Sequence, residues 1–428
     1  MNTMTFCDYL RSLRIDGDFV ELAAKAGEVT REVREAVRER AALNQWKVLE
    51  ALQSAGLMEG HFFPTTGYGL GDMGREVLDE AVAKIFRAEA GCMRWQIASG
   101  THALTAALFG TLAPGKSMLS ITGAPYDTML PVIGNADKAP GTLAYWGVGY
   151  RELPLREDGH IDIGGIADAL KADVGLVYLQ RSRGYTWRPS LCVKELAEAI
   201  AEVRRHAPEV TVMVDNCYGE MVELSEPTEF GADIVGGSLI KNLGGAFAPC
   251  GGYLAGKKQV IERALERVIA PGVGVEEGPT LGYNRVLAQG LFMSPNIIGA
   301  ALEGAVWSAW ILEQLGFKVS PRWDEPRTDI IQAICLESTE RQIAFCRGIQ
   351  KAGAVDHSAM PEPVVQPGYR DPIIMAGGTF IQGSSIELSA DGPLRPPYAC
   401  YLQGGMSFAH VQLGLMLALQ EMRSQDLL

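Results

Sequence analysis

Val210-Thr211-Val212-Met213-Val214-Asp215-Asn216 is an apolar run that stops at an acid, and further on comes Gly236-Gly237-Ser238-Leu239-Ile240-Lys241-Asn242-Leu243-Gly244-Gly245, a lysine set among glycines. The first run predicts a strand buried on both faces, with Asp215 at its carboxyl end. The second predicts another strand end, a turn and the lysine. Short apolar runs of the same kind recur at 95–98, 117–121, 174–179 and 233–235, and helical stretches at 102–112 and 193–206 separate them. This alternation predicts an α/β fold with a mostly parallel central sheet covered on both faces.

Outward from this core the texture changes at both ends. Residues 19–56 read as helix, with Val29, Val33, Val37, Leu43, Trp46 and Leu49 at helical spacing. Arg31, Arg34, Arg38 and Arg40 interleave there with Glu28, Glu32, Glu35 and Glu39, which predicts a solvated, salt-bridged face rather than a basic patch. Beyond Pro271-Gly272-Val273-Gly274 come helical material at 281–316, a short strand at 317–319, a helix at 338–352 and glycine-broken antiparallel strands within 373–388. The expected organisation is a helical segment 1–59, a large domain 60–272 and a smaller α/β domain 273–428.

Composition narrows the function classes. Net charge is −13, from 38 basic and 51 acidic residues, which argues against a nucleic-acid partner held through phosphates. The 8 cysteines are scattered with no CxxC pair, a pattern that fits reduced thiols in the cytoplasm, not a disulfide framework or a metal site. The N-terminus lacks a signal-peptide pattern, and no uncharged apolar stretch reaches spanning length. A cytoplasmic protein with no membrane partner and no metal is expected.

The chemistry sits where the strands end, since ligands of such sheets gather there. Gln96-Ile97-Ala98-Ser99-Gly100-Thr101-His102 is a tight polar turn opening a helix, and the first-turn amides beside the Ser99 and Thr101 hydroxyls suit a phosphate. The same residues would also serve as a plain helix cap. Ser238 offers a second phosphate contact, and Tyr126, in Gly123-Ala124-Pro125-Tyr126-Asp127-Thr128, a ring to stack on. Taken with Asp215 and Lys241 in that order, the set points to pyridoxal 5'-phosphate (PLP): Lys241 forms the Schiff base and Asp215 keeps the pyridine nitrogen protonated. Desolvation beside a cationic ring is expected to lower the pKa of Lys241. Arg181, in Arg181-Ser182-Arg183-Gly184-Tyr185, could meet phosphate, the cofactor's phenolic oxygen or a substrate carboxylate, or form surface salt bridges. Arg395, in the proline-rich loop Gly392-Pro393-Leu394-Arg395-Pro396-Pro397, is the preferred clamp for an α-carboxylate.

Together these residues resemble the fold-type I PLP enzymes of the Cys/Met metabolism group, and most closely its methionine γ-lyase-like, aluminium resistance branch. The matching stretches are Thr66-Gly67-Tyr68-Gly69-Leu70-Gly71-Asp72, Ser99 to Ala103, Gly123 to Thr128, Gln180 to Tyr185, Val214-Asp215-Asn216-Cys217-Tyr218-Gly219-Glu220, Gly237 to Gly245 and Gln382 to Ser389. The resemblance implies a homo-oligomer with active sites at a subunit interface. It assigns Schiff base and proton shuttle to Lys241, the pyridine nitrogen to Asp215, the ring stack to Tyr126, and the phosphate to Gly100, Thr101 and Ser238. Tyr68 would reach over from the neighbouring subunit toward the substrate. The better-known lyases carry Tyr-x-Arg and Ser-x-Thr-Lys, whereas Tyr68 is followed by Gly69 and Leu70, and Ile240 precedes Lys241. Arg75 or Arg181 would then supply the missing phosphate contacts.

The implied activity is C–S bond β- or γ-elimination from a sulfur-containing amino acid, giving a 2-oxo acid, ammonia and a thiol. Transamination, γ-replacement and retro-aldol cleavage use the same two residues, and a PLP-binding protein with little turnover would keep them as well.

Overall fold

The computed structural model describes residues 4–66, 70–134 and 138–428. Contacts divide the chain into two compact units, one of Leu43–Gly184 with Arg188–Ser294, the other of Met1–Ala42, Tyr185–Trp187 and Pro295–Leu428. The expected boundaries at 59/60 and 272/273 differ from these. The helices Arg31–Ser54 and Asn284–Gln314 each run through a boundary, so no turn or compositional break marks either one.

The larger unit holds β1 (Ala90–Arg94), β2 (Ser117–Ser120), β3 (Gly149–Glu152), β4 (Val174–Gln180), β5 (Thr211–Asp215), β6 (Ile234–Ser238) and β7 (Gly252–Gly256). They form one sheet in the order β1-β7-β6-β5-β4-β2-β3. Pairing is parallel from β3 through β6, and β7 runs antiparallel to both neighbours, β6 and β1. The mostly parallel sheet predicted from sequence is therefore present. The helix Gly100–Thr111 buries Ala103, Leu104, Ala107 and Leu108 against Met213, Ile234 and Leu254 of the sheet. The strand expected at 95–98 lies just upstream as β1, because Ala90–Arg94 pairs with β7 and the later residues turn into the helix. Glycine-rich β7 and the polar edge strand β3 carry no apolar alternation, which hid both.

The smaller unit contains β8 (Lys318–Ser320), β9 (Ile331–Cys335), β10 (Ile373–Ala376), β11 (Ser389–Pro393) and β12 (Ala399–Gln403), antiparallel throughout in the order β10-β11-β12-β9-β8. The helices Thr339–Gln350 and Phe408–Ser424 bury Phe345, Ile349, Leu415 and Leu419 with strand residues Ile334 and Leu402. Residues 386–388, expected as strand, are a turn leading into β11.

The long N-terminal helix is two helices, Gly17–Val29 and Arg31–Ser54. They part at Thr30, whose hydroxyl donates to the Ala26 carbonyl at 2.6 Å. The solvated charge ladder is not its arrangement at Arg34, which is buried 3.6 Å from Glu303, with Arg38 2.6 Å from the same carboxylate. Leu43 and Trp46 are exposed, whereas Asn44 is buried and donates to the Met221 carbonyl at 2.7 Å. No helix among the described residues is long and apolar enough to cross a membrane.

Candidate active site

β5 and β6 run parallel with Asp215 opposite Gly236, so Asp215 and the segment after Ser238 emerge at the same edge of the sheet. Lys241 follows β6 by one short turn. On the same edge the helix Gly100–Thr111 begins, capped by the Ser99 hydroxyl, which accepts from the His102 amide at 3.1 Å. A β-carbon on Gly100 would lie 3.0 Å from Cβ of Ser238, tighter than an ordinary contact, and 3.5 Å from the Cys217 sulfur, so glycine eases the close approach of the helix start to the ends of β5 and β6. The Thr101 hydroxyl meets that of Thr128 at 2.9 Å, which ties the helix start to the loop carrying Tyr126. The Tyr126 amide donates to Gln180 Oε1 at 2.6 Å, anchoring that loop to the end of β4. Ser99, Gly100, Thr101, Ser238, Asp215 and Lys241 thus converge, with Tyr126 on the adjoining loop. His102 takes a local role, its Nδ1 accepting from the Ala98 amide at 3.1 Å.

Asp215 is buried and accepts from the Cys217 amide at 3.1 Å and from the Tyr178 hydroxyl at 3.2 Å. Burial raises its pKa, a rise moderated by the charge of Lys241 and by these two donors. Lys241 sets Nζ 3.9 Å from the centre of the Tyr218 ring. The protein's own groups raise its pKa. Burial does act against its charge, but Cys217, Tyr218, Asp215 and Glu220 surround it and outweigh the desolvation. Near neutrality Asp215 is the relevant negative neighbour, because burial holds the Cys217 thiol protonated far above its ordinary range and pushes the Glu220 carboxyl up to about 8. The expected lowering belongs to a cationic ring beside the amine, and the protein's own groups act in the opposite sense.

Arg181 is engaged by polar groups of the chain after β5. Its guanidinium is wholly buried, donating to Asn216 Oδ1 at 2.9 Å and Glu223 Oε2 at 2.7 Å, with Glu226 at 3.5 Å. Gly219 packs flat on it, since a β-carbon there would lie 2.7 Å from its central carbon. These acceptors hold both terminal nitrogens, while the buried Nε has no hydrogen-bond partner among the described residues, and the pairing with Glu223 and Glu226 gives Arg181 a structural role. Arg75 is buried too, donating to the Gly278 carbonyl at 3.2 Å. Arg395 belongs to the smaller unit, where it donates to Asp371 at 2.8 Å and to the Tyr185 carbonyl at 3.2 Å. Tyr68 lies outside the described residues.

Two groups at the site had no role assigned to them from the sequence. Tyr178 looks like one more apolar member of β4, yet its hydroxyl supports Asp215 from a position 37 residues away. Glu220 is fully buried beside the lysine and accepts from the Tyr253 hydroxyl at 2.8 Å. Its partner Tyr253 sits on β7, the strand that had no alternation to reveal it.

Among relatives, the chain is 44% identical to the uncharacterized Bacillus subtilis protein YnbB over 410 residues, covering 96% of each chain. A solved Clostridium acetobutylicum structure, provisionally named a cystathionine beta-lyase involved in aluminum resistance, is similar at 43% identity and a TM-score of 0.94, covering 99% of this chain and 100% of that one. A Clostridium novyi NT structure described as a carbon-sulfur lyase involved in aluminum resistance is similar at 42% identity and a TM-score of 0.91, covering 96% of this chain and 97% of that one. Residues 19–423 match the family described as methionine gamma-lyase, and the chain belongs to that family.

Proposed function

We propose that this protein is a PLP-dependent carbon–sulfur lyase: a sulfur-containing amino acid and water give a 2-oxo acid, ammonia and a thiol. The observation that carries the reading is the convergence of Lys241, Asp215 and the Gly100 helix start on one sheet edge. The names of the similar Clostridium proteins support the reaction class.

The donor set suits the cofactor. The Gly100 and Thr101 amides with Ser238 would hold its phosphate, Tyr126 would cover the ring, and Asp215 would keep a proton at the ring nitrogen. When bound, PLP supplies the sink for the electron pair left as the α-proton departs. Lys241 Nζ would hold the cofactor's aldehyde carbon and would be the base for the α-proton. Tyr178 keeps the Asp215 carboxylate oriented through its hydroxyl. Arg395 is the proposed partner of the α-carboxylate, and Tyr68 of the substrate from a neighbouring copy. A homo-oligomer of cytoplasmic location is part of this proposal. The exposed Trp46, Phe63, Leu70 and Met73 support association, which light scattering on the eluting protein tests.

Two measurements decide the matter. Borohydride reduction of the PLP-loaded protein should leave the cofactor on the Lys241 peptide, and a reducible adduct persisting in Lys241→Ala would sink the assignment. Incubation with cystathionine, cysteine and methionine should release 2-oxo acid, ammonia and thiol in equal amounts. Amino transfer to a keto acid without ammonia removes the lyase reading, and no turnover despite bound PLP leaves only a binding protein.

A further inference from the structure

Glu220 is a buried carboxylic acid that the chemistry above does not use. It belongs to the loop after β5, and its neighbours Tyr218 and Met221 both take left-handed backbone angles, with φ of 71° and 57°. Non-glycine residues pay for that conformation, so the surrounding contacts must hold it. Asn242, next to Lys241, provides part of the hold by donating to the carbonyls of Tyr218 at 2.9 Å and Glu220 at 3.1 Å. The side chain has its own seat. Oε1 accepts from the Tyr253 hydroxyl, and Gly237 opposite leaves the space, since a β-carbon there would lie 2.7 Å from that oxygen. Oε2 has no hydrogen-bond partner among the described residues.

An ionised carboxylate with one bare oxygen in such a place is costly unless a cation faces it. The groups around it are Tyr253 from β7, Glu226 and Cys217 from the chain around the loop, and Lys241 from the segment after β6. Lys241 is the cation of this set; Glu226, paired with Arg181, repels a second negative charge. Glu220 therefore has two states with opposite consequences for the lysine. A neutral acid leaves the amine to Asp215 alone, and a carboxylate adds a second anion to its surroundings.

We propose that Glu220 is a positioning acid acting through Lys241: once ionised, it holds the amine as an ammonium to a higher pH than Asp215 alone would. The proposal rests on Lys241 being the reactive lysine. Burial and Glu226 push the Glu220 carboxyl up to about 8, which sets the change near neutral pH. Lys241 pulls in the other direction, so the two titrations are linked.

The test is competitive acetylation of the cofactor-free protein with acetic anhydride at pH 6 and pH 10, read at the Lys241 peptide by mass spectrometry. Relative to wild type, Glu220→Gln should label equally at pH 6 and about tenfold more at pH 10, the effect of roughly one pKa unit from a nearby carboxylate. A ratio that stays the same at both pH values means that the substitution changed only access, and overturns the proposal. Tyr253→Phe is the second variant. It removes the donor to Oε1, so the pH at which Lys241 labelling becomes suppressed should rise; an unchanged profile in both variants also overturns it. Because no cofactor is used, a protein that fails to take up PLP would sink the proposed function while leaving this result to stand on its own.

Discussion

Replacing Glu220 by glutamine should also change how stability depends on pH, by an amount the structure sets. The glutamine keeps an acceptor for Tyr253 and removes the titration. In the folded wild type the carboxyl is raised from its ordinary 4.5 to about 8, so the native state binds this proton more tightly than the unfolded chain does. Stability falls with pH wherever the unfolded state holds fewer protons, here from about 4.5 up through about 8, and the loss is complete above that. At 1.36 kcal/mol per pKa unit the full displacement corresponds to about 5 kcal/mol, an upper figure because a buried site relaxes around a charge. For a unit of this size that is up to about 10 °C in melting midpoint. Thermal melts of cofactor-free wild type and Glu220→Gln at half-unit steps from pH 4 to 9 should diverge as pH rises, with the variant gaining. Lys241, whose pKa lies above this range, stays charged in both proteins from pH 4 to 9, so the difference curve isolates Glu220. Parallel curves would show that Glu220 is already ionised in the native protein, and the reasoning about its burial would be wrong.

Arg181→Met should cost about 3–5 kcal/mol, because Glu223 and Glu226 lose a buried partner. Its effect on PLP affinity at a temperature where it stays folded should be small; a large loss of affinity with stability intact would restore Arg181 as a phosphate ligand. Gly100→Ala forces a methyl group to within 3.0 Å of Ser238 and should destabilise by about 1–3 kcal/mol. Equilibrium dialysis should also show weakened PLP binding, and unaltered affinity would place the phosphate elsewhere.

The alternating α/β architecture and the candidate site residues are legible along the chain, because both leave local marks. An apolar run ending in Asp215, a glycine-flanked Lys241 and a capped helix start at Ser99 can each be read within a few residues. The antiparallel small sheet and the unit boundaries were less legible, since β11 and β12 form from mixed residues and two helices run through the boundaries. What surrounds the lysine comes from the packing of distant segments. Arg181 looked like an anion ligand in its loop, but Asn216, Glu223 and Glu226 claim its guanidinium. Tyr178 and Tyr253 appear as strand residues until their hydroxyls are seen on Asp215 and Glu220. Burial and the summed field of distant side chains set a charge state, and neither is written in the neighbours of a residue along the chain.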